Sequence, residues 1–394
     1  MAASPTNPEK CIFCDIPFDK GSLEHVFPSA LGGRITTTHA TCKSCNNLFS
    51  EASSDAVEIA LADNFIYIRN ALNVWSGRGN PPPTIKEAGQ FDDGIKYDLA
   101  PNLTPIVSKS RIPSKDETDS NTVFDFVAQD VGDANRIVGI LKKRGLNIGD
   151  INAKYVTTKA PVIRASIKFE GNKIFRAIAK IAVVSYVVLY GNSRARTDIY
   201  QSLRGSIRSG EPDITKYCGW DYTNDFPVIT NLHPHEKTPD AIQCGFEHTV
   251  FITNVNHQLV AYIKLFGAFN FSIILGNHSS ISPKCLCLNP TAGKSSRFNV
   301  LFNPPLSYIP KNIDSFKIEH ESVRKHVQLA MSSIVEHCQS LSTEEYIRSL
   351  SQELMISVQT ASVDSDISEI IRSFSEKLAH IENGLAWEEE INIE

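Results

Sequence analysis

The chain reads as an α+β protein, and three observations carry that reading. Cysteines pair at two-residue spacing near the start, Cys11 with Cys14 and Cys42 with Cys45; β-branched and aromatic residues alternate across 247–275; apolar residues recur at helical spacing beyond 316. Together they predict a small N-terminal module around the cysteines, a larger α+β body with an antiparallel meander, and a helical C-terminal segment. At 394 residues the chain is long for one core. The run Arg78-Gly79-Asn80-Pro81-Pro82-Pro83 breaks any regular element, which sets the expected regions at 1–77, 84–310 and 311–394.

Taken in order, Ala56, Ile59, Ala60, Phe65, Ile68 and Leu72 recur at helical spacing, which predicts one long helix over Glu51 to Trp75. Strands are expected at Ile95 to Leu99, Thr122 to Gln129 and Pro161 to Phe169, and a helix at Val131 to Arg144. Asn172 can cap a helix whose run from Ile174 to Tyr190 is apolar enough to be buried but too short to span a bilayer comfortably, with Gly191 as its stop. The meander divides into His248 to Thr253, Gln258 to Leu265 and Ala268 to Leu275, with a turn at Asn254-Val255-Asn256-His257 and with Phe269 and Phe271 in the core. Phe316, Val323, Val327, Ala330, Ile334 and Cys338 form a helical stripe. Ser342 and Glu345 have the form of a capping box, and Ile367, Ile370, Phe374, Leu378 and Ile381 form a last stripe.

Two close pairs of thiolates can close a tetrahedral site, and zinc is the ion such spacing most often serves. Cys11, Cys14, Cys42 and Cys45 are the expected ligands, and the metal would pin a segment too short to build a core of its own. The loop held between the pairs reads Glu24-His25-Val26-Phe27-Pro28-Ser29-Ala30-Leu31-Gly32-Gly33, then His39, and Asn46-Asn47 follow the last cysteine. His233-Pro234-His235 and Cys285-Leu286-Cys287 have no matched second pair and are not read as metal sites.

Over about residues 8–60 this arrangement resembles the HNH endonucleases, in the subgroup whose ββα-metal fold carries a zinc site of two CxxC knuckles. The resemblance implies a phosphodiesterase. A phosphodiester repels nucleophiles, so its hydrolysis needs an activated water and a cation to absorb charge on the leaving oxygen. Carried over by position, the resemblance makes His25 the general base and Glu24 a ligand of the catalytic metal. It puts His39 at the family's middle asparagine, which braces the loop, and makes Asn46 a second metal ligand with Asn47 as its nearest substitute. An asparagine ligand favours Mg²⁺ or Mn²⁺. Without the Glu24-His25 loop, a closed, purely structural zinc ribbon would be the ordinary reading of the cysteines.

The net charge of −5 argues against indiscriminate binding of nucleic acid, but its distribution is uneven. Between Arg136 and Arg208 fifteen Lys and Arg face three acidic residues, whereas from Asp314 to Glu394 sixteen acidic residues face six basic ones. A basic middle suits a polyanion, and Lys173, Arg176 and Lys180 on one helical face, with Arg194 and Arg196 beyond, are the expected phosphate contacts; Arg204 and Arg208 extend the set. Solvated charge on outer faces is the competing reading. The acidic helical tail could serve self-association or a protein partner.

The resemblance therefore implies a metal-dependent endonuclease with structural Zn²⁺ and catalytic Mg²⁺ or Mn²⁺, acting on DNA, or alternatively RNA, in restriction of foreign DNA. Cysteine usage without a secretory leader predicts a cytoplasmic, soluble protein with no membrane association. Three alternatives stand beside it. One is an effector nuclease gated by a partner or ligand, as in HNH heads associated with short Argonautes; another is a zinc-knuckle module that binds nucleic acid without cutting it; the third is an assembly protein built on the acidic helices.

Overall fold

The computed structural model describes residues 9–50, 56–91, 94–108, 128, 131–145, 154–156, 171–221, 246–291, 299–302, 320–360, 372, 375 and 388–390. The fold is α+β, with antiparallel sheets and separate helices. The chain divides into two compact units, 1–82 with 166–334, and 83–165 with 335–394. These units do not coincide with the expected regions 1–77, 84–310 and 311–394, because the N-terminal segment shares its unit with residues 166–334.

Strands β1 (Glu9–Lys10) and β2 (Pro17–Phe18) pair antiparallel around the first cysteine turn. A second antiparallel pair, β3 (Ser22–His25) and β4 (Thr36–Thr41), leads into α1 (Lys43–Ser50), which completes a ββα unit. The threonine run of β4 supplies the β-branched residues a strand prefers.

The long helix expected over Glu51 to Trp75 is instead two short ones, α2 (Val57–Asn64) and α3 (Ile66–Ala71), with 51–55 outside the described residues. The break falls at Phe65, whose backbone leaves the helical region at φ −98°, ψ 15°. Its ring is fully buried, with centroids 5.0 Å from Phe269 and 5.5 Å from Phe266, so packing overrides the helical spacing at that residue.

In the second unit β5 (Ile85–Gln90), β6 (Lys96–Ala100) and β7 (Thr104–Val107) form an antiparallel meander. Buried Asp98 ties it together by accepting from Lys86 Nζ at 2.7 Å, Ser108 Oγ at 2.6 Å and the Glu87 N–H at 2.9 Å. Helix α4 (Val131–Lys143) and strand β8 (Lys154–Val156) follow. The strands expected at 122–129 and 161–169 fall outside the described residues, apart from residue 128.

The first unit resumes with α5 (Gly171–Tyr190), α6 (Asn192–Asp198) and α7 (Gln201–Ser209). Helix α5 is buried on nearly all sides, as an apolar helix without a polar face must be. It starts at Gly171, so Asn172 lies inside its first turn rather than capping it. Gly191, at φ 92°, ends it.

Strand β9 (Cys218–Trp220) then joins β10 (His248–Val255), β11 (Gln258–Leu265), β12 (Phe269–Asn277), β13 (Lys284–Leu288) and β14 (Asn299–Phe302). All six are antiparallel in the order β14-β13-β10-β11-β12-β9. Asn256 and His257, both at positive φ, turn β10 into β11 as a two-residue hairpin loop matched to strand twist. Phe269 and Phe271 are core, and Phe175 of α5 meets Phe271 edge-on at 6.4 Å.

Cys285 and Cys287 are buried in β13 and join no metal-binding cluster among the described residues, whereas His233 and His235 lie outside them. Helix α8 (His320–Thr360) runs unbroken through Ser342, so the capping-box reading there is overturned; a helix in progress has no free N–H groups to cap. Phe316 and the 367–381 stripe lie outside the described residues. Strand β15 (Glu388–Glu390) pairs antiparallel with β8. No helix among the described residues is long and apolar enough to cross a membrane.

Phe65 joins α2 and α3 to the sheet. Phe65→Ala is expected to destabilise the first unit by about 3–5 kcal/mol, read as a lower urea midpoint in circular dichroism.

Candidate functional site

Cys11 and Cys14 sit in the turn between β1 and β2, which the Cys11 N–H closes on the Ile16 carbonyl at 2.9 Å. Cys42 precedes α1 and Cys45 lies in its first turn. The four sulfurs lie within 4.8 Å of one another, with Cys14 Sγ 3.6 Å from Cys42 Sγ. Sulfur ligands on a tetrahedral zinc are roughly 3.8 Å apart at the usual Zn–S length, so the donor set fits that ion in type, number and spacing. The charges agree. A hydrogen bond from Cys45 holds the Cys11 thiol down at about 5, while burial pushes Cys14 up to about 11; without a cation the four cannot ionise together.

The knuckle is clamped from the body. Arg204 Nη1 donates to the Ile12 carbonyl at 2.9 Å, and Asp15 meets Arg196 at 3.0 Å and Arg204 at 3.2 Å. Asn192 Nδ2 donates to the carbonyls of Lys10 at 3.0 Å and His39 at 2.6 Å.

Between β3 and β4 the motif loop turns through a 3₁₀ segment, Ser29–Leu31, and Gly32 at φ 82°. It is crowded. A Cβ on Gly33 would lie 1.9 Å from the Phe27 carbonyl oxygen, and one on Gly77 would lie 1.8 Å from that of Gly33. The Gly77 N–H donates to the Ser29 carbonyl at 2.8 Å, so the residue just before the 78–83 break packs against the motif.

Beneath the loop, the buried His248 ring donates from Nε2 to the Leu31 carbonyl at 2.9 Å and accepts the Phe266 N–H at Nδ1 at 3.0 Å. Rings continue this contact from Phe27 through His248 to Phe266, with centroids 5.2 and 4.5 Å apart. Sequence reasoning missed His248, and its only signal there is a histidine opening a strand.

Glu24 and His25 end β3 opposite Thr37 and Thr36. Glu24 is 1% exposed; its Oε2 accepts from Thr41 Oγ1 at 3.0 Å and its Oε1 pairs with Lys180 Nζ. Lys180, 2% exposed, also pairs with Glu58 and lies 5.4 Å above the Phe49 ring. Burial alone would lower this ammonium, but Glu24 and Glu58 together hold it above the usual lysine range. Burial pushes Glu24 upward against the pull of Lys180. His25 is half-buried, and burial lowers its pKa, opposed by Glu58 and reinforced by Lys180 and the exposed Arg78.

Asn46 and His39 are the remaining residues predicted for the site. Asn46 Nδ2 donates to Ser22 Oγ at 2.6 Å and the Leu23 carbonyl at 3.2 Å, which braces the strand just before Glu24. His39 is exposed and its ring meets Glu9 at 2.8 Å.

Within the expected phosphate set Arg176 and Lys180 are buried, whereas Lys173, Arg194 and Arg196 are partly exposed. Lys180 is consumed by carboxylates, and buried Arg176 donates to the carbonyls of Ile207 at 3.0 Å and Arg208 at 2.9 Å. Arg194 binds Asp198 at 3.2 Å and the Ser280 carbonyl at 2.6 Å, Arg196 holds Asp15, and Lys173 is half-buried. Helical spacing puts Arg176 and Lys180 on one stripe, and on this helix those two positions are buried.

Comparison with known proteins agrees with the site. Residues 11–58 match the HNH endonuclease family. No curated protein and no solved structure matches the chain. The HNH segment thus spans both cysteine pairs, the motif loop and α1, and ends at Glu58. The matched family is one of nucleases whose members use divalent metals. The zinc position fits this chain. The family's catalytic metal does not fit the same way, because both oxygens of Glu24 are already engaged by Lys180 and Thr41.

Two outcomes follow. Purified protein is expected to carry zinc in a single site by elemental analysis, and Cys45→Ser is expected to lose it together with the thermal stability of the HNH segment. The second concerns His248, whose pKa burial depresses to about 4. Against an unfolded value near 6.5, its neutral form contributes stability above pH 6.5, on the order of 3 kcal/mol, that is lost as pH falls toward 4. The urea midpoint should fall across that window in wild type. It should fall less in His248→Gln, whose amide can make both hydrogen bonds without titrating.

Proposed function

We propose that this protein is an HNH endonuclease that hydrolyses phosphodiester bonds in DNA, with His25 as general base. The observation that supports it best is the HNH match lying over a ββα unit that sets His25 at the end of a strand, beside a loop pinned by His248 and Gly77. A base must be unprotonated to accept the proton of the attacking water, and burial favours the neutral ring. Arg78 is an exposed cation near enough to act on that ring, and it is available to a phosphate oxygen. Asn46 keeps β3 in place, and the zinc knuckle holds both ends of the unit.

Mg²⁺ or Mn²⁺ is the divalent ion we propose for the reaction by family resemblance. Glu24 is not a ready ligand for it, since both its oxygens are engaged by Lys180 and Thr41. Restriction of foreign DNA is the biological use that the resemblance suggests.

The closure of Glu24 favours a second reading, an effector nuclease whose site opens only with a partner or ligand. Supercoiled plasmid incubated with zinc-loaded protein and Mg²⁺ or Mn²⁺ separates the two. Nicking or linearisation abolished by His25→Ala and by chelation is the expected result. Intact plasmid under every metal would turn the assignment to the gated form, and cutting that persists in His25→Ala would remove His25 as the base.

A further inference from the structure

Among the described residues Lys180 is the most completely buried basic side chain of the first unit, and it sits where a nuclease of this family would need a metal. Its ammonium touches Glu24 from β3 and Glu58 from the first turn of α2, with Thr41 on the far oxygen of Glu24 and the Phe49 ring below. The carboxylates come from elements 34 residues apart in sequence, and the lysine from a helix 156 residues beyond Glu24. Two carboxylates and a hydroxyl in a closed site form an oxygen-rich pocket of the kind that hard cations occupy. Here a covalently attached cation fills it.

We propose that Lys180 is an internal cation that occupies the Glu24–Glu58 pocket and excludes divalent metal from Glu24 in the resting protein. The inference concerns the site of the nuclease reading and rests on it only for the identity of Glu24 as the family's metal position. Charge balance argues for it: Lys180 pairs with two carboxylates, and a divalent ion added beside it would meet like charge at close range in a poorly screened interior. A metal can enter only if Lys180 withdraws, and Lys180 is anchored on a buried helix.

The test reads metal binding rather than cleavage. Free Mn²⁺ is followed by electron paramagnetic resonance in titrations of zinc-loaded, full-length wild type, Glu24→Gln and Lys180→Met. Wild type and Glu24→Gln are expected to bind Mn²⁺ equally weakly. Lys180→Met should bind at least about tenfold more tightly, a gain of roughly 1.4 kcal/mol, and should lose that gain when combined with Glu24→Gln.

Mn²⁺ binding by wild type that Glu24→Gln abolishes would overturn the proposal, as would a folded Lys180→Met with no gain. Should Lys180→Met fail to fold, the wild-type and Glu24→Gln pair still decides: Glu24-dependent binding overturns the proposal and its absence upholds it. A protein that passes this test yet never cuts DNA would count against the nuclease reading alone.

Discussion

The ammonium of Lys180 dictates what must pack against helix α5. Taking it out of water costs several kcal/mol, and only partners of opposite charge at hydrogen-bond distance return that cost. Glu24 and Glu58 are those partners, so the hairpin β3–β4 and helix α2 are both drawn to one point on α5. Removing either side of such a pair leaves an uncompensated charge in the interior, which is far more damaging than the pair is stabilising. The N-terminal segment therefore does not stand apart from the body as a detachable head. Asp15 with Arg196 and Arg204, and Asn192 with the carbonyls of Lys10 and His39, repeat the same logic around the knuckle.

The parts of the site legible in the sequence are those whose chemistry is local. Two CxxC pairs declare four thiolates, Glu24-His25 declares a carboxylate beside an imidazole, and the Pro28 to Gly33 turn declares a loop between strands. The meander was legible for the same reason, since period-two alternation and the turn at Asn256-His257 are properties of neighbours. The α+β class followed from these.

What stayed hidden depends on residues far apart in sequence. Lys173, Arg176 and Lys180 recur at helical spacing, which says that they share a stripe but not that the stripe faces inward. Only the carboxylates at 24 and 58 and the carbonyls at 207 and 208 decide that. Phe65 interrupts a pattern that reads as continuous helix because its ring is wanted by Phe266 and Phe269, about 200 residues away. His248 is the counterpart in the body, an unremarkable strand residue in sequence and the floor of the motif loop in three dimensions.

The discontinuity of the first unit also sets the order in which the protein can be finished on the ribosome. Chains grow from the N-terminus at roughly 5–20 residues each second, and domains fold once their last contacts have emerged. Cys45 emerges early, so the zinc knuckle can close while most of the chain is unmade. Glu24 must then wait for Lys180, and the motif loop for His248, while all of 83–165 is synthesised in between. The nascent protein thus passes through an interval in which its HNH segment has neither its cation nor its floor, and the site is completed only as the six-stranded sheet is added behind it.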